Sequence, residues 1–293
     1  MYILSSSDAL TAGKVTQIRF PSSKREGTRL KRGVSMKMPV LFVGHGSPMN
    51  ALEENSFTRA LREVRKKLPK PKAVCVVSAH GVRSGCHALD VGRPKTIHDF
   101  YGFPRPLYEV QYPASGAVTE AKRLAMEHHL LADQEWGLDH GAWSVLRHLY
   151  PGADVPVFEV SLDHAWGFPE HVALGKRMRH LRERGVLLLG SGNLVHNLRK
   201  INWKMPHAAY PWAEEFDHRV KKAITEHDVE SLSAPDRWGR SLLAEAHPTL
   251  EHYAPILYCL GSTDERDRVS YPYEGMEFGA ISMRMALFEP VDT

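Results

Sequence analysis

Short apolar runs of strand length recur along this chain and alternate with amphipathic stretches of helical period, a pattern few folds can satisfy. The runs cover residues 40–43, 73–78, 155–161, 186–190 and 256–260, with a mixed run at 280–287. They are rich in Val, Ile, Leu and Phe and are near-continuous rather than alternating. That is the signature of strands buried on both faces, as in a parallel sheet covered by helices.

Between the runs lie the helices. Phe57, Ala60, Leu61, Val64 and Leu68 follow i, i+3, i+4, i+7 spacing after Asn55, a helix cap, while Arg59, Arg62, Arg65 and Lys66 fall on the other face. Val118, Ala121, Leu124, Ala125 and Leu131 mark a second helix, and residues 171–184 a third with Gly185 at its C′ position. Pro211 opens a fourth, with Ala213, Phe216, Val220 and Ile224 facing inward. The fold expected is α/β: a single domain over residues 38–293, with a mostly parallel central sheet flanked by helices on both faces. With 43% hydrophobic residues in 293, the chain has ample material for such a core.

Residues 1–37 are different. They hold eight basic side chains against Asp8 and Glu26, a net +6, so a chain of net charge +4 has a body of net −2. A basic total therefore does not imply a nucleic-acid surface, and none is expected. The segment is expected to be a flexible extension, either an upstream-start segment or a disordered tail, with organelle targeting as the other reading; it lacks the apolar core of a secretory signal. No stretch approaches the roughly 18 apolar residues of a membrane span. Cys75, Cys86 and Cys259 lack CxxC spacing and sit in or near apolar runs, as reduced core thiols of a cytoplasmic protein would.

Chemistry enters with the histidines. The run at 40–43 stops at Gly44-His45-Gly46, the run at 73–78 continues into Ala79-His80-Gly81, and the run at 186–190 leads to His196-Asn197. Three strands thus each deliver a histidine just past the carboxyl end, the edge of an open α/β sheet where ligands bind. His252 precedes the run at 256–260, and His140 precedes a helical pattern at 142–149. Of the 17 histidines, His128, His129, His180, His218 and His227 sit among charged residues and read as solvated helix faces. Neutral imidazole is the commonest metal ligand, and a cluster drawn from several loops leaves coordination positions open, as a catalytic metal requires. HExxH, zinc-finger spacing, GxSxG, P-loop and dinucleotide-binding motifs are absent.

The motifs GHGSPMNALE (44–53), VVSAHG (76–81), TIHDFYGFP (96–104), WGLDHGAW (136–143), SGNLVHNL (191–198), YPWAEEF (210–216), PTLEHYAPILYCLG (248–261) and EGMEFGAISM (274–283) together resemble the 4,5-DOPA extradiol dioxygenases, members of the class III, LigB-like extradiol ring-cleaving dioxygenases. The resemblance spans about residues 38–288, with the motifs in the family's order. It implies a non-haem metal site that opens a catechol such as DOPA beside its two hydroxyls with both atoms of O₂. It also implies that His45, His80 and His252 are the metal ligands, with Glu251 the alternative to His252, and that His196 is the acid/base histidine and a fourth ligand when zinc is bound. His140 is implied to contact substrate or oxygen. Three protein ligands leave positions for both catecholate oxygens and O₂. Since zinc has no redox chemistry, Fe(II) is expected for activity even where Zn(II) occupies the site.

Asp139 is read either as part of that pocket or as a helix cap. Phe100, Tyr101, Phe103, Trp143 and Tyr253 are candidate walls for a ring-shaped pocket, and His98-Asp99 a polar pair near the substrate. Two other functions stay open: a zinc-dependent hydrolase using the same histidines, and a non-catalytic binding protein like the related Memo-type proteins.

Overall fold

Burial on both faces explains which residues became strands. The computed structural model describes residues 37–291. In it four of the apolar runs form parallel strands: β1 (Val40–Gly44), β2 (Ala73–Ser78), β3 (Val157–Glu159) and β4 (Val186–Gly192). Two strands from the end of the chain, β5 (Arg268–Ser270) and β6 (Met285–Glu289), complete a six-stranded sheet in the order β3-β2-β4-β1-β6-β5, β6 lying antiparallel to β1 and β5 to β6. Every residue of β1, β2 and β4 is buried.

Alternate residues of these strands feed two cores. Val40, Phe42, Cys75, Val77 and Leu188 meet side chains of α2 (Val118–His128), α4 (Phe168–Met178), α5 (Pro211–Thr225) and α6 (Ala254–Ser262). Leu41, Val43, Val74, Val76, Leu187 and Leu189 meet α1 (Ser56–Lys67) and α3 (His140–Leu149). The result is the expected α/β sandwich, helices on both faces of a mostly parallel sheet.

Local signals set most helix ends. Asn55 caps α1 in a reciprocal capping box with Thr58, and Pro211 starts α5. A 3₁₀ segment, Arg179–Arg184, continues α4 and ends at Gly185 with φ 85°. Two expectations need correction. Residues 256–260 are not a strand but the middle of α6, all nine residues of which are buried. A continuous apolar run has no period to separate the two states, and Pro255 in the first turn favours the helix. Leu131 lies beyond α2, in a short strand Leu131–Asp133, because His129 turns the chain out of the helix at φ 56°.

A buried ion pair joins distant parts of the chain. Arg182, fully buried, donates to both carboxylate oxygens of Asp267 at 2.5 and 2.8 Å and to the carbonyls of Met38 and Ser262 at 2.6 and 3.0 Å. The described residues belong to one compact unit. The flexible basic extension expected over residues 1–37 lies outside the described residues except for Lys37, which pairs with Asp264. All three cysteines are buried and unpaired. No helix among the described residues is long and apolar enough to cross a membrane.

Candidate metal centre

Strand register does the first part of the assembly. Gly44 pairs with Gly192 and Ser78 with Ser191, so the carboxyl ends of β1, β2 and β4 form one row. His45 follows directly and His80 after Ala79, the chain anchored there by His45 N to Gly192 O at 3.0 Å and Ala79 N to Ser191 O at 2.9 Å. Gly46 then turns the chain at φ 60°, a conformation glycine adopts without strain. His252 arrives from the turn ahead of α6. A Cβ on Gly192 would stand 2.3 Å from the His252 carbonyl, so only glycine lets that turn approach β4, where Asn193 N donates to the same carbonyl at 2.9 Å.

Donor atoms of His45, His80 and His252 all lie within 4.8 Å of one another. Each ring has one nitrogen held from behind. His45 Nδ1 donates to Ser191 Oγ at 3.0 Å, since that hydroxyl spends its own proton on Gly141 O at 2.6 Å. His80 Nδ1 faces Asp99 Oδ2 at 3.3 Å, and His252 Nδ1 donates to Glu251 Oε1 at 3.2 Å. With the protons placed on Nδ1, all three Nε2 atoms present lone pairs inward, the arrangement of metal-binding imidazoles.

This donor set fits a metal ion. His45 Nε2 and His80 Nε2 stand 3.1 Å apart. Two lone pairs at that separation repel unless a cation lies between them, and metal–nitrogen bonds of ~2.1 Å at near right angles put ligand nitrogens ~3 Å apart. His252 Nε2 is buried with no hydrogen-bond partner, a polar atom left for something the chain does not supply.

Burial keeps the rings in their ligand form. His45 and His252 have pKa values far below the imidazole norm, first through burial and then through the neighbouring histidines, and burial followed by His140 brings His80 down to about 3. His196 lies flat on His252, centroids 3.5 Å apart and planes 6° apart, and burial followed by His247 and His140 brings its pKa down to about 3. His140 opens α3, its ring centroid 3.9 Å from that of His80. Asp99 ties the two together: Oδ2 accepts from His140 Nδ1 at 2.9 Å and Oδ1 from His140 N at 3.0 Å. Burial alone would raise the Asp99 carboxyl, but the His140 hydrogen bonds win and hold it down to about 2.

Asp139 is the N-cap of α3, accepting from Ala142 N at 3.1 Å and from Ser78 Oγ at 2.7 Å. Beside it Glu159 accepts from Asp139 N at 3.1 Å. Both carboxyls are buried; burial, then Asp99, pushes Asp139 up to about 6, and burial, then Asp139, pushes Glu159 well above its usual range. Glu159 thus backs the cap of the helix that carries His140.

The aromatic candidates divide. Phe100 packs edge-on to His140 at 5.6 Å, with Phe103 behind it at 5.3 Å. Trp143 is buried and donates to Ile97 O at 2.8 Å, and Tyr101 is 92% exposed. Tyr253 does not wall the pocket. It sits in the core against Phe168, Phe216 and His247, with its hydroxyl on Leu232 O at 3.0 Å. His98 Nε2 is taken by Val110 O at 3.0 Å. Ser191, Ser78 and Glu159 were missed in sequence; the only cue for the serines is their place in the last residues of a strand that ends in a histidine loop. A cavity of about 480 Å³ between Pro211, Glu214, Asp217, Gly275 and Arg284 is lined by none of the clustered histidines.

A mostly parallel α/β sheet with imidazoles converging past its strand ends has the architecture of a metal-dependent enzyme. The chain belongs to the LigB family: residues 38–281 match the family described as the catalytic LigB subunit of aromatic ring-opening dioxygenase. It is 43% identical over 260 residues to the 4,5-DOPA dioxygenase extradiol of Escherichia coli K12, covering 85% of this chain and 94% of that one. Identity to the 4,5-DOPA dioxygenase extradiol of Beta vulgaris is 32% over 255 residues, 82% of this chain and 92% of that one. A crystal structure of an uncharacterized protein from Escherichia coli K12 superposes with a TM-score of 0.73 at 36% identity, covering 85% of this chain and 99% of that one. The chain is an extradiol ring-cleaving dioxygenase by family.

Proposed function

We propose that this enzyme is an Fe(II)-dependent extradiol dioxygenase acting on a catechol such as DOPA, with His45, His80 and His252 as the metal ligands through Nε2. The observation that carries the reading is the convergence of three imidazoles whose Nδ1 atoms are each occupied from behind. The same geometry favours His252 over Glu251 as ligand, because Glu251 Oε1 accepts from His252 Nδ1 and from Thr249 Oγ1 at 2.8 Å, and the tight donor group includes His252 and not Glu251. When bound, Fe(II) supplies chelation of the two catechol oxygens and one-electron chemistry toward O₂, neither of which zinc combines.

The chain's own residues bind, orient and move protons. His196, neutral and stacked beside the ligand His252, is placed to accept a catechol hydroxyl proton and return it to the ring-opened product. His140, oriented by Asp99, contacts the substrate or its oxygen, and Phe100 offers an apolar ring edge on the same side. The catalytic domain is residues 38–293, with 1–37 outside it. Buried, unpaired cysteines support a cytoplasmic setting.

The test is anaerobic loading of the metal-free protein with Fe(II) or Zn(II), followed by DOPA and other catechols with and without O₂. The expected outcome is a yellow ring-opened product and one O₂ consumed per catechol with iron alone. Turnover of an ester or amide with zinc and no oxygen would instead support a hydrolase. Inertness toward every catechol would leave a binding role.

A further inference from the structure

Two of the histidines that read as solvated helix residues are not simply solvated. The last turn of α2 and the 3₁₀ segment Arg179–Arg184 meet where the chain enters β4, at the opposite end of that strand from the first cluster. There Glu127, His128 and His180 each contribute a donor atom, all within 4.8 Å of one another. His180 Nδ1 donates to Arg177 O at 2.7 Å. Their Nε2 atoms are both shielded from solvent, and neither has a hydrogen-bond partner. Glu127 Oε2 stands 2.9 Å from His180 Nε2, close but outside hydrogen-bond geometry. The other oxygen, Oε1, accepts from Arg184 at 2.6 Å.

Two imidazoles whose Nε2 atoms lack hydrogen-bond partners, with the Glu127 Oε2 that pairs with His180 beside them, make a borderline N₂O donor set with a position open to water. Such a set suits Zn²⁺, whereas Ca²⁺ and Mg²⁺ demand more oxygen ligands. The Arg184 guanidinium on Glu127 and the nearby Arg177 weaken the site without blocking it.

We propose that Glu127, His128 and His180 form a second, peripheral Zn²⁺ site that clips the end of α2 to the segment feeding β4. Zinc recovered with this protein then reports two sites, and total metal content is not a measure of the catalytic centre.

The experiment is calorimetric titration of the metal-free full-length chain with ZnCl₂. The wild type takes up two equivalents, and the His128→Ala/His180→Ala variant takes up one while keeping wild-type Fe(II)-dependent turnover. His252→Ala retains the equivalent that this double variant loses. Glu127→Gln weakens the second equivalent about tenfold without moving the melting temperature of the metal-free chain. Two equivalents persisting in the double variant, or a single equivalent that it retains, overturns the peripheral site. A single wild-type equivalent that vanishes in the double variant upholds the peripheral site and instead removes the metal from the first cluster.

Discussion

Asp99 does the work of two supports. Its Oδ2 faces the Nδ1 atoms of both His80, at 3.3 Å, and His140, at 2.9 Å, so one carboxylate fixes the tautomer of a ligand and the position of a substrate-side imidazole. Outer carboxylates of this kind typically carry a 10–100-fold effect on metal affinity. Asp99→Ala is expected to weaken Fe(II) binding by that factor, read by competition with a chelator dye; unchanged affinity would mean that His80 is oriented by its strand alone. His196 contrasts with it. Its ring is stacked on His252 but is no part of the tight donor group, so His196→Ala should leave iron content at the wild-type level while kcat falls about 10²–10⁴-fold. Metal lost on that substitution would place His196 among the ligands.

At the level of elements, α4 and α6 touch backbone to backbone. A Cβ on Gly175 would lie 2.6 Å from Tyr258 O, and one on Gly261 would lie 2.4 Å from Val172 O. Alanine in a helix interior normally gains up to ~1 kcal/mol over glycine. Here the clash is with backbone that cannot swing aside, and overpacking of about 1–3 kcal/mol or more should win. Gly175→Ala is therefore expected to lower the urea midpoint, and because α6 follows directly on the turn bearing His252, to weaken metal binding as well; a stabilised variant would show that the helices part at little cost. The same helix shows where local reading stopped. Residues 256–260 have no hydrophilic face, so period could not mark them as helix, whereas α1, with Asn55 before it and arginines opposite Leu61, was legible in every turn.

For the whole molecule, many buried imidazoles imply acid sensitivity. Burial brings His171 and His247, both outside the metal cluster, down to about 4. The unfolded chain binds protons near pH 6.5 that the folded chain refuses, so stability is full above that value and falls as the pH drops toward 4. The linkage amounts to about 2 kcal/mol for each group by pH 5. Urea denaturation at pH 7.5 and 5 should show this loss, and His171→Gln should remove roughly its share of the pH dependence. A slope unchanged by that substitution would assign the acid lability elsewhere.

Local pattern alone determined the α/β class, the strands at 40–43, 73–78 and 186–190, and the histidines at the ends of those strands, because burial and chain reversal leave a mark within a few residues. Family motifs added His252 and His140 to the same site. Only the tertiary structure decided that the Gly44–Gly192 and Ser78–Ser191 register aligns those ends, that Asp99 reaches both His80 and His140, and that His128 and His180 meet beside Glu127. These contacts join residues tens to more than a hundred positions apart, and nothing in the local chain chemistry encodes which distant partner a loop will meet until sheet register and helix packing bring it there.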